Sequence, residues 1–69
     1  MTIMNTKGET IATFPNALEA VLCLPAIARI LGVTCVMQVP TGITLAEIPR
    51  GVTATPIGKG HQYGLCAKP

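Results

Sequence analysis

The sequence predicts an α+β fold, a small antiparallel sheet with one helix packed on one face. Three observations point there. Short β-branched runs lie near both ends, a long apolar stretch with helix-end signals separates them, and glycines and prolines mark the boundaries. The expected order is ββαββ(β): a β-hairpin, one bent helix, then a β-meander.

The hairpin comes first. Thr2 to Asn5 reads as one strand and Thr10 to Phe14 as its partner, rich in residues that favour a pleated surface. Between them Thr6-Lys7-Gly8-Glu9 supplies the turn, with Gly8 free to adopt a positive φ.

The helix is expected over residues 17 to 31. Asn16 is placed to cap it, and Glu19, three residues on, completes a capping-box pattern. Leu18, Val21, Leu22 and Pro25 share a face at helical spacing. Pro25 lacks an N–H and crowds the preceding turn, which predicts a bend near Leu24-Pro25. Gly32 reads as the left-handed residue that ends the helix, with Arg29 favourably placed in the last turn.

From residue 33 the pattern changes to strand, with VTCVMQV over 33 to 39. Two similar turns follow nine residues apart, VPTGIT at 39 to 44 and IPRGVT at 48 to 53. Each places Pro second and Gly fourth, as in a type I turn with a following left-handed Gly. ITLAEI (43 to 48) lies between them as a meander strand, and VTATPI (52 to 57) follows, confined to an edge by Pro56. GKGH reads as a loop and QYGLC as a last short strand, or residues 58 to 69 form a flexible tail. The chain makes a single domain over residues 1 to 69.

The helix end AIARILGVT (26 to 34) looks like the first half of a DNA-reading helix-turn-helix. The second half fails: Pro40 would interrupt the recognition helix, and residues 33 to 39 carry no Arg, Lys or Asn to read a base. Nucleic-acid binding is therefore the weaker reading. The basic balance is also slight. Residues 1 to 49 sum to −1, and residues 50 to 69, with Arg50, Lys59 and Lys68, sum to +3. A solubilising segment suffices to explain that, since phosphate binding needs clustered cations.

Four side chains form a candidate zinc set: Cys23, Cys35, His61 and Cys66. Their spacing lacks a C-x-x-C knuckle, and Cys23 and Cys35 sit in apolar runs, so packing as small hydrophobes is preferred and no cofactor is expected. No Asp occurs in the chain, and no carboxylate follows Glu47. Neither a phosphate-cradling loop nor a nucleophile with a base and an orienting group can be assembled, and the chain is expected not to be an enzyme. Three cysteines, an odd number, point to a cytoplasmic protein with reduced thiols.

Composition carries the functional expectation. Nearly half the residues are apolar (49%) and only 12% are charged, against about a quarter in ordinary domains. So few ionised groups leave apolar surface for a partner, for self-association or for a membrane. One alternative is a single membrane span through residues 20 to 37, which hold one charge, Arg29. The preferred reading is a small protein that acts by protein–protein binding, as a homo-oligomer or as an accessory or inhibitory component of a larger complex. Phage-encoded inhibitors of host machinery are the fold-level analogy. The candidate interface is a sheet face or edge comprising Ile43, Leu45, Ile48, Val52, Ile57, Tyr63 and Leu65, with Tyr63 as anchor.

Overall fold

Burial in alternating steps organises the sheet. The structure, a computed structural model, describes residues 1–39, 44–57 and 62–69. Strands β1 (Thr2–Asn5) and β2 (Thr10–Thr13) form the hairpin, and α1 (Ala17–Leu31) follows. Strand β3 (Cys35–Val39), a 3-10 turn at Leu45–Glu47, β4 (Val52–Pro56) and β5 (Tyr63–Ala67) complete the order. The five strands form one sheet, β2-β1-β3-β5-β4, antiparallel at every junction. The expected α+β class, with one helix on one face of an antiparallel sheet, is thus the fold.

Local chemistry sets the hairpin. Asn5 Oδ1 accepts from the backbone N–H groups of Lys7 (2.9 Å) and Glu9 (3.0 Å), and Asn5 Nδ2 donates to Glu9 Oε1. This Asx-type pattern replaces backbone bonds that a tight turn cannot make. Gly8 takes φ 84°, as its turn position requires. The register steps from Ile3↔Ala12 to Met4↔Thr10, which leaves Ile11 as an extra residue on β2, a bulge.

Helix α1 occupies the residues expected and is capped by Asn16 as expected, but the Glu19 carboxylate does not close the expected capping box. Asn16 Oδ1 accepts from Glu19 N at 2.9 Å. It ends at Gly32 with φ 68°, whose N–H donates to Ala28 O. Pro25 lies inside this single helix and leaves the Val21 carbonyl without its usual donor. Ala20, Val21, Leu24 and Ala28 are the buried positions. Alanines at 20 and 28 let the helix axis come close to the sheet. The face expected from Leu18, Val21, Leu22 and Pro25 is therefore turned: Val21 is inside, but Leu18 and Leu22 stand in solvent.

The core lies beneath α1 on the two central strands. Three cross-strand pairs, Cys35↔Ala67, Met37↔Leu65 and Val39↔Tyr63, point toward the helix and are buried, and Ile3 joins them from β1. Phe14 is half-buried and packs against this core.

Three local expectations are corrected. Residues 45 to 47 form a 3-10 turn rather than part of a meander strand over 43 to 48. Glu47 Oε1 accepts from both Thr44 N (3.0 Å) and Thr44 Oγ1 (3.2 Å), which curls the segment. Secondly, the last short strand does form, as β5, but it is inserted between β3 and β4, so the strands after α1 do not make the expected meander. Thirdly, the turn before β4 starts at Pro49, whose carbonyl accepts from Val52 N at 3.4 Å. Gly51, with φ 88°, then occupies the third position, where a type II turn requires positive φ. The companion turn at 40 to 43 lies outside the described residues. β4 is an edge strand, as Pro56 predicts.

Candidate functional site

A row of aliphatic side chains on the outside of α1 is the principal surface feature. Residues four apart fall on one inclined ridge of a helix, and Leu18, Leu22, Ala26 and Ile30 make such a ridge. Leu22 is 54% exposed and Ile30 82%, Leu18 is also exposed, and Ala26 is half-buried. Leu31, the last residue of α1, and Val33 after it are also exposed, but Leu31 lies near the azimuth of Leu24 and so outside the ridge. The sheet covers α1 on its other side only, so among the described residues nothing packs over the ridge.

Two charges flank this row. Glu19 lies in the first turn of α1 and Arg29 in the last, each favourable toward the helix dipole, and both are exposed. Ten residues separate them, about 15 Å along the axis, too far to pair with one another.

The expected interface residues are scattered by the fold. Leu45 (60% exposed) and Ile57 are at the surface, while Ile48 and Val52 are half-buried against the core. Tyr63 and Leu65 require correction. They face the helix from β5, at 7% and 1% exposure, and are core residues unavailable to a partner. Ile43 lies outside the described residues. Sequence reasoning misses the ridge because it assigns Leu18 and Leu22 to the buried face. The flanking Glu19 and Arg29 are the signal that this side meets solvent.

The helix-free face of the sheet carries a shallow concavity of about 270 Å³, lined by Met4, Val36, Gln38, Thr55, Gly64 and Cys66 among others. Cys35 lies on the opposite face, since it and Cys66 are offset by one residue in the β3–β5 register. Cys23 belongs to α1 and is half-buried. The three cysteines therefore have no common meeting point, and His61 is outside the described residues. Among the described residues no cluster of three or more metal-binding side chains forms. Burial pushes the Cys35 thiol above its ordinary value of 9.0, with the neighbouring Cys66 adding to the effect.

Residues 20 to 37, the candidate span, are divided between α1, which ends at Leu31, and β3, which begins at Cys35. Among the described residues no helix is long and apolar enough to cross a membrane. No protein-family model matches the chain, and no curated protein or solved structure matches it.

Proposed function

We propose that this protein acts as a non-catalytic binding protein that docks against another protein surface through the outer ridge of α1. The observation that carries this reading is the exposure of Leu18, Leu22 and Ile30 on one continuous row. Isolated aliphatic residues on a surface need no explanation, whereas a contiguous apolar stripe marks a site of association.

The charge deficit supports the same reading. The accessible surface is 4310 Å², close to the roughly 4,100 Å² of a compact 7.2 kDa monomer. Shared among eight charged side chains, that is about 540 Å² each. The uncovered aliphatic groups gain stability only when a second surface removes them from water, at about 25 cal/mol per Å².

The test is capture by the tethered chain, with Leu22→Asp/Ile30→Asp as the matched control. Circular dichroism establishes that the control is folded. A partner retained by the unsubstituted chain and lost by the control supports the reading. A partner retained equally by both overturns it, because binding then uses another surface.

A further inference from the structure

The order of residues along the ridge says what covers it. We infer that the ridge pairs with the same ridge on a second copy of this chain, the two helices antiparallel across a two-fold axis at the level of Leu24. This rests on the binding reading above and names its partner.

In a two-fold contact, if residue i of one copy meets residue j of the other, then j also meets i. A helix row can satisfy this only if it is complementary to its own reversal. Reversed about position 24, Leu18 lies opposite Ile30, Leu22 opposite Ala26, and Glu19 opposite Arg29. All three pairs share one midpoint. In the middle, the large Leu22 meets the small Ala26 twice, so each leucine enters the space left by an alanine methyl. At the ends, Leu18 and Ile30 extend the apolar strip, and the two Glu19–Arg29 pairs close its sides.

Electrostatics select the direction. A parallel pair would set Glu19 against Glu19 and Arg29 against Arg29, and would align the helix dipoles. The antiparallel pair makes every one of these encounters attractive. The resulting layers are sheet, helix, helix, sheet, with both sheets outermost. The ridge runs over about 18 Å of helix, so the contact is at the small end of specific interfaces and the dimer depends on concentration.

Reciprocal charge exchange provides the test, with sedimentation velocity and native mass spectrometry as readouts. Glu19→Arg brings a second guanidinium against Arg29 of a like copy, and Arg29→Glu places two carboxylates together. Each variant alone is expected to associate at least about tenfold more weakly than the unsubstituted chain, because facing like charges are costly. Mixed one to one, they are expected to form a heterodimer in which both ends pair opposite charges: at one end the unsubstituted Arg29 and Glu19 face each other, and at the other the two substituted positions do so with their signs exchanged. Circular dichroism checks that each is folded. If the swaps unfold the helix, Glu19→Gln and Arg29→Gln replace them, with weakened association that mixing restores only in part, since the heterodimer regains one of the two Glu19–Arg29 pairs. An unsubstituted chain that stays monomeric overturns the inference, as does a mixture that fails to pair or a glutamine variant that associates unchanged. If the monomeric chain still captures a different protein through the ridge, the binding reading stands and only the second copy is refuted.

Discussion

Leu22 and Leu24, two residues apart on α1, face in opposite directions: Leu24 is buried completely beneath the helix, and Leu22 is over half exposed above it. The same side chain in the same helix thus has two environments, and the difference separates what holds the fold from what is left for association.

Truncating each makes the first prediction. Leu24→Ala removes core atoms and leaves a cavity, at a cost of about 3 kcal/mol. Against a total of roughly 3–10 kcal/mol for a chain this size, that is a large fraction. Leu22→Ala is expected to change stability by no more than about 0.5 kcal/mol when measured at concentrations too low for association. Urea denaturation compares the two, and equal losses would mean the helix is rotated from the orientation described.

Asn5 is the pivot of the first hairpin. Asn5→Ala loses the acceptor for Lys7 and Glu9 and is expected to cost about 1–2 kcal/mol. Asn5→Asp keeps that acceptor but sets a carboxylate against Glu9, where Asn5 Nδ2 now donates. Its stability should fall between those of the parent and Asn5→Ala. Amide exchange at Lys7 and Glu9 reports the change directly, and unaltered protection in Asn5→Ala would contradict it.

At Gly32 the cost of substitution is conformational alone, since a Cβ there would meet nothing within 4 Å. Its φ of 68° makes Gly32→Ala unfavourable by about 1 kcal/mol, with Gly32→Asn less affected because Asn visits the left-handed region more readily. The ranking Gly, Asn, Ala in melting temperature is the check. An alanine variant as stable as the parent would mean the helix ends differently.

Cys35 links burial to pH. The folded chain holds this thiol proton more tightly than the unfolded chain does. Its contribution to stability is therefore complete below the unfolded pKa and is lost as pH rises above it through the folded value. The parent should lose stability faster than Cys35→Ala as pH is raised past about 9. Under native conditions at pH 8, an alkylating reagent should modify the half-buried Cys23 well before Cys35. Parallel pH curves, or equal labelling, would contradict this placement.

The sequence makes some parts of this fold plain and hides others for definite physical reasons. β1 and α1 have the boundaries expected because capping chemistry is local: Asn16 starts the helix and Gly32 stops it, whatever packs around them. The orientation of α1 is not legible that way. Ala20, Leu24 and Ala28 form one apolar row and Leu18, Leu22, Ala26 and Ile30 another, so hydrophobic periodicity points both ways. Tyr63 and Leu65 are open to misplacement for a similar reason, since the alternate residues Gly64 and Cys66 are not polar enough to mark the outer face. The turn at 45 to 47 does carry a usable signal, the Thr44-x-x-Glu47 pattern of a helix start. It is obscured by the β-branched residues before it. As for the candidate site, composition announces that apolar surface is left over, but only the packing of α1 on its sheet shows which side.

Sedimentation equilibrium of the unsubstituted chain across a concentration series tests the pairing of α1 with its copy most directly. The predicted result is an average mass that climbs from 7.2 kDa toward twice that value as concentration rises, with Leu22→Asp remaining at 7.2 kDa throughout. A mass of 7.2 kDa at every concentration, or an identical climb in Leu22→Asp, would contradict it.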